Sequence, residues 1–306
     1  MTAPQGAETF NITAFDTVVQ HEFQQMTSKL YPYVKQTTLN ANQMTIDGMG
    51  SVEMKEAQAR YAPIVFDQVD HTRRGVNRIE YAVDLPIDAK DARAILENQA
   101  VEYAKVIVAA AQRQIDRIIS GAFFADITLW TTNSDGVSVP FATPLTFAND
   151  GGETIDAKAG LTYPILVKDK RIFVNNDVDL DNNTFVFAGT GDEMDALMNE
   201  DKFINSFYTK QTVVDNGNIT QASGYKTLFF SSGASKPVIG LDSSGFRECA
   251  TFIAQGITLA VNKEVTITLK DRADLRNVQQ VSAILSMGAV RNKAGVVHKI
   301  QTTVKT

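Results

Sequence analysis

The chain has 306 residues, 44% of them hydrophobic and 21% charged, a balance that excludes a disordered tail, a collagen-like fibre and a small disulfide scaffold. Acidic residues outnumber basic ones 35 to 29, for a formal net charge of −6, which disfavours a protein that wraps nucleic acid through a positive face. The longest apolar run, Val106–Ala111, has six residues, against the roughly 20 that a membrane helix needs.

Residues 1–11 are small and polar and read as a flexible arm. A helix is expected over Thr13–Leu30, with Thr13 as N-cap and an apolar stripe of Phe15, Val18, Val19, Phe23, Met26 and Leu30. That stripe has no obvious local partner, so it packs on the body of its own chain or on a neighbour. Residues 36–90 read as a long extended excursion, with strands at Ala62–Phe66 and Arg78–Val83, and loops of this length are usually functional. The strongest signal is a continuous helix from about Ala94 to Phe124. Its apolar positions Val101, Ala104, Val108, Ala111, Ile115, Ile118 and Ala122 advance in steps of three and four, and small residues on that face suit a rod of about 45 Å lying across a sheet.

Residues 126–160, which include Trp130, read as short strands and loops. A helix follows from Thr162, with Pro164 in its first turn and Leu161, Ile165, Leu166, Ile172 and Phe173 as its apolar face. Then come a strand at 184–188, a helix at 192–198, a strand at 225–230, an interrupted helix at 245–260 and strands at 265–269, 278–287 and 296–304. Strands and helices do not alternate regularly, which makes the fold class α+β.

Few residues invite chemistry. Cys249 is the single cysteine and is expected as a small buried hydrophobe beside Phe246 and Phe252. His21, His71 and His298 have no second ligand at zinc spacing. Asp177, Asp179 and Asp181 open like a calcium loop, but Asn182 and Ala188 occupy the positions that demand Gly and Glu. Gly189–Met194 resembles a dinucleotide turn, yet Asp192 and Glu193 crowd the helix N-terminus, where they serve better as caps. No serine elbow, P-loop or carboxylate pair marks a catalytic group, so no catalytic residue, cofactor or metal is expected. His71, Arg73, Arg74 and Arg78 form the only basic cluster, and they suit a phosphate contact, a solvated face or an ion-pair surface between subunits. Asp67, Asp70, Glu80 and Asp84 balance that charge, which favours protein partners over DNA.

Three stretches resemble a known family. Residues 66–85 contain Phe66-Asp67-Gln68 followed by Asp70-His71-Thr72-Arg73-Arg74, with Thr72 where a serine is usual, and Asp84–Ala94 leads into the long helix. Ser286–Arg291 with Val296–Ile300, and Phe246–Ala260, are the other two. Together they are similar to the tailed-bacteriophage major capsid proteins. The resemblance implies the Hong Kong-type capsid fold shared by tailed phages, herpesviruses and encapsulins. It implies an N-terminal arm at 1–35, an extended E-loop at 36–92, a peripheral domain with a spine helix at 93–160, an axial domain at 161–262 and return strands of the peripheral domain at 263–306. The implied function is self-assembly, as pentamers and hexamers, into an icosahedral head around double-stranded DNA. The implied partners are a separate scaffolding protein, a portal and decoration proteins; the implied location is the virion, after assembly in the host cytoplasm. Inter-subunit contacts are expected at Phe15, Val19 and Phe23 of the arm and at Arg73, Arg74 and Arg78 of the loop, with Arg74→Glu blocking assembly of a still-folded subunit. The alternatives are an encapsulin-like compartment and a soluble α+β enzyme using the Gly189–Glu193 turn for a nucleotide.

Overall fold

A computed structural model describes residues 25–54, 66–87, 99–132, 138–141, 143–200, 214–215, 218–233, 235–272, 274 and 278–304. Of the expected helix at 13–30, residues 13–24 lie outside this set, and 25–30 form an irregular segment leading into a 3-10 turn at Tyr31–Tyr33. Strands β1 (Lys35–Thr38), β2 (Gln43–Met49), β3 (His71–Asn77) and β4 (Ile79–Ile87) follow. β2 and β3 pair antiparallel from Gln43 opposite Asn77 to Met49 opposite His71, so a hairpin ladder lies within the excursion. The expected strand at 62–66 lies outside the described residues except for Phe66, which is in no strand.

The long helix is described over Gln99–Phe124, about 39 Å at 1.5 Å per residue; residues 94–98 of the expected span lie outside the description. Next come β5 (Trp130–Thr132), β6 (Ser138–Pro140) and β7 (Thr154–Ala157), then a helix at Tyr163–Asn175 with Pro164 in its first turn. β8 (Phe185–Thr190) leads into a short helix, Gly191–Met198. The rest is β9 (Val214–Asp215), β10 (Asn218–Ile219), β11 (Gln221–Ala222), β12 (Tyr225–Phe230), β13 (Arg247–Ile253), β14 (Ile257–Arg272), β15 (Val278–Arg291) and β16 (Val297–Thr302).

Two sheets organise these strands. The first has the order β1-β14-β15-β4, with β1 parallel to β14 and the others antiparallel. The second is a mixed sheet of six strands in the order β11-β12-β8-β13-β16-β7. β15 and β16 are consecutive but belong to different sheets. The long helix serves both units. Its second half buries Ile115, Ile119 and Phe123 in the main core, and Ile107 in its first half packs with Val281 and Ala283 of the first sheet. Val108, on the apolar stripe read from the sequence, stays 38% exposed because the sheet lies to the Ile107 side there.

The expected helix at 245–260 is corrected to two strands, β13 and β14, joined by a turn. β13 lies between β8 and β16, and every residue from Cys249 to Ile253 is buried. A strand covered on both faces shows no polar alternation, and its apolar run satisfies helical spacing equally well. The turn holds Gln255 at φ 63°, and its N–H donates to Tyr33 O at 2.7 Å.

Candidate functional site

The β2–β3 hairpin is tied to the body through Arg74 of β3. Arg74 is 3% exposed, and its fork donates to Asp150, Nη1 to Oδ2 at 2.9 Å and Nη2 to Oδ1 at 2.6 Å. Arg291, at the end of β15, shares that carboxylate through Nε at 3.2 Å. Its Nη1 donates to Ala122 O and Phe123 O, at 3.1 and 2.8 Å, where the long helix runs out of amide partners. Burial pushes the Arg291 guanidinium below its ordinary range, and the bond to Asp150 opposes that. Three elements therefore meet on one carboxylate, β3, the 146–150 turn and β15, and Arg291 extends the tie to the C-terminus of the long helix. Gly75 adds a steric tie, since a Cβ there would lie 2.2 Å from Trp130 Nε1.

The three arginines expected at subunit contacts have separate fates. Arg73 points out and pairs with Asp47 across the hairpin at 2.7 Å. Arg78 donates to Asn262 Oδ1 at 3.0 Å. Arg74 is corrected from a surface contact to an interior one. A guanidinium bidentate to a buried carboxylate has no fork left for another molecule. Phe15, Val19 and Phe23 lie outside the described residues. Sequence reasoning missed Asp150 and Arg291, which are distant from Arg74 in the chain and carry no local signal.

An open cleft of about 720 Å³ is lined by the legs of the hairpin, at Gly48, Met49 and Asp70, and by the turns at Asn176, Gln255 and Asn292. The legs carry bare apolar side chains: Met49 is 72% exposed, Val52 51%, Met54 101% and Phe66 86%. Apolar groups held away from their own core suit contact with another surface. Phe66 opens the stretch whose resemblance the sequence already carries, and the methionines had no distinguishing pattern.

The interior polar groups are sealed. Asp169 and His298 are 0% exposed and meet at 2.6 Å, Tyr225 OH donates to Asp169 at 2.6 Å, and Phe173 stacks on the imidazole. The set has the residue types of an acid–base triad but no route for a substrate, and it fastens the 163–175 helix to β16 and β12. At the Gly189–Glu193 turn, Glu193 accepts from the Thr190 N–H at 2.7 Å and from Thr302 Oγ1 at 2.6 Å, while Asp192 pairs with Arg247 at 3.0 Å. Carboxylates fill the helix N-terminus, as capping residues do. Asp179 is engaged by the Asp181 N–H at 2.9 Å and by the Asn182 amide at 2.5 Å. Among the described residues no group of three or more His, Cys, Asp or Glu could hold a metal ion.

Comparison with known proteins assigns this arrangement of hairpin, rod helix and two sheets to a family. The family model described as phage capsid protein matches residues 7–304, and the chain belongs to that family. Its structure is similar to the mature capsid of bacteriophage PhiM1, with TM-score 0.67 and 11% identity over 95% of this chain and 92% of that chain. It is similar to a chain of Mycobacterium phage Che8, with TM-score 0.64 and 12% identity over 94% and 95%. It is also similar to the capsid of Helicobacter pylori bacteriophage KHP30, with TM-score 0.65 and 8% identity over 95% of both chains. No curated protein matches it in sequence. The fold is the Hong Kong-type capsid fold, and the protein is a phage capsid subunit that acts as many copies in the virion shell.

Proposed function

We propose that this chain is the major head subunit of a tailed phage, assembling as pentamers and hexamers into an icosahedral shell around double-stranded DNA, with no catalytic role. The observation that carries the reading is the tied hairpin with bare apolar legs in a chain matched to the capsid family from residue 7 to 304. Residues 1–35 act as the arm, 36–92 as the loop reaching a neighbour, 93–160 and 263–306 as the peripheral domain and 161–262 as the axial domain. Contacts between copies run through Phe15, Val19 and Phe23 of the arm, through Arg73 and Arg78, and through the loop legs. A net charge of −6 suits a container that must release its DNA, because a basic wall would hold phosphate tightly. A scaffolding protein, a portal and a decoration protein are its partners, and assembly takes place in the host cytoplasm.

The test is size. The chain expressed alone and with a co-expressed candidate scaffold is examined by light scattering and negative-stain electron microscopy. Rings of five or six, or closed angular shells, are expected; a persistent monomer in both preparations overturns the reading.

A further inference from the structure

Asp116 lies in the middle of the long helix and is 0% exposed. A buried carboxylate is costly unless donors surround it. All its hydrogen bonds among the described residues come from one short segment, Gln25–Leu30. The Ser28 hydroxyl donates to Oδ1 at 2.6 Å, the Leu30 N–H to Oδ1 at 3.0 Å, the Lys29 N–H to Oδ2 at 3.2 Å, and the Gln25 amide to Oδ2. Neighbours one turn along the helix reinforce the hold. Gln112 Oε1 accepts from the Ser28 N–H at 3.2 Å, and Arg113 Nη1 donates to Gln25 O at 3.4 Å. On the far side, Lys29 Nζ donates to Phe229 O at 2.6 Å and sits 5.4 Å from the centre of the Phe230 ring.

The dependence runs one way. The long helix satisfies its own backbone and has no need of a carboxylate at position 116, where an apolar residue would be cheaper. The segment 25–30 has no strand partner, and without Asp116 the buried Leu30 N–H would have nothing to bond. The acid is present for the segment. The segment is where the 24 residues that precede Gln25 join the body.

We propose that Asp116 is a positioning residue for assembly: it fixes the root of the N-terminal arm on the long helix and thereby sets the point and direction from which residues 1–24 reach a neighbouring copy. This rests on the reading of residues 1–35 as an arm that contacts other copies. The carboxylate acts as a joint between the arm and the helix, and it is distinct from the loop contacts.

The experiment measures the joint and its consequence separately. Met26, 51% exposed in the root, and Gly121, where a Cβ meets nothing within 4 Å, are replaced by cysteine and spin-labelled. The native Cys249 is fully buried and stays unlabelled. Electron–electron distances in the free subunit should be narrowly distributed, and Asp116→Asn should broaden them, raising the undocked fraction by about tenfold, the loss of one charge-assisted bond. Shell yield should fall with it while the thermal midpoint of the body stays close to that of the parent. If Asp116→Asn does not fold, the double variant Gln25→Ala/Ser28→Ala removes donors from the arm side and should broaden the same distribution. Unchanged distances, or unchanged shell yield despite broadening, overturn the proposal. A parent that forms no shells overturns the shell reading instead, and the distances still judge the joint.

Discussion

Arg73 and Arg74 are adjacent, carry the same charge and do opposite things, because successive residues of a strand point to opposite faces. Arg74→Glu places a second acid against Asp150 in the interior and removes the fork that holds that carboxylate for Arg291. Breaking a buried pair of this kind costs about 3–5 kcal/mol, so the variant should lose much of its stability, read as a lower thermal midpoint of the isolated subunit. A midpoint equal to that of the parent would return Arg74 to the surface. Arg73→Glu removes an exposed pair worth about 0–1 kcal/mol; the subunit should stay folded, and any loss of shells then reports on a contact between copies. Cys249 shows the same power of position. Burial and the nearby Glu193 push its thiol well above the ordinary 9.0, so the reactive thiolate is withheld. Iodoacetamide should leave the native subunit unmodified from neutral pH up to pH 9 and react once it is unfolded. Labelling of the native form that accelerates with pH would show a reachable thiol.

Among the elements, the ones that show a period on a single exposed-to-buried gradient were readable from the chain. The long helix announces itself through steps of three and four, the 163–175 helix through Pro164 and its apolar face, and β12 through its bounds. β13 was not readable, because a strand buried between β8 and β16 has no polar side to mark its period. The 25–30 segment was misread for a different reason. Met26 and Leu30 fit a helical stripe, but the acceptor that holds this backbone out of a helix is Asp116, about 90 residues away in the chain, and local propensity cannot register it. The candidate contacts divide in the same way: Arg73 was legible as a charged residue of the extended loop, whereas the interior place of Arg74 depends on Asp150 and Arg291. Close approaches between elements are equally silent in sequence. Gly288 in β15 passes so near β3 that a Cβ would lie 2.2 Å from Asn77 O and 2.9 Å from Val76 Cγ1. The obstacle at Asn77 is backbone and cannot swing aside. Gly288→Ala should therefore cost about 1–3 kcal/mol through overpacking, seen as a lower midpoint in denaturant at an unchanged slope. Wild-type stability in that variant would mean β3 can move away from β15 freely.

At the scale of the molecule, a few polar networks are sealed in the interior while several large apolar side chains stand exposed. Asp169–His298–Tyr225 and Arg74–Asp150–Arg291 are locked between elements, making the body rigid where it must hold a shape. Met54 and Phe66 are held in solvent at the legs of the hairpin, 101% and 86% exposed, and contribute nothing to their own core. Apolar side chains held off their own core suit cover by another surface, and burying a side chain of this size yields about 1.5–3 kcal/mol. In a closed shell the same contact recurs in every copy, so a modest loss per subunit is multiplied across the assembly. The double variant Met54→Ser/Phe66→Ser should thus leave the circular dichroism spectrum and thermal midpoint of the subunit as they are and reduce the shell fraction in sedimentation velocity at equal protein concentration. Adding protein should restore part of that fraction, because a weakened contact raises the concentration at which shells form without abolishing it. Shells at the parental concentration would show that the legs are not covered by a neighbour, and a lowered midpoint would show that they lean on their own body.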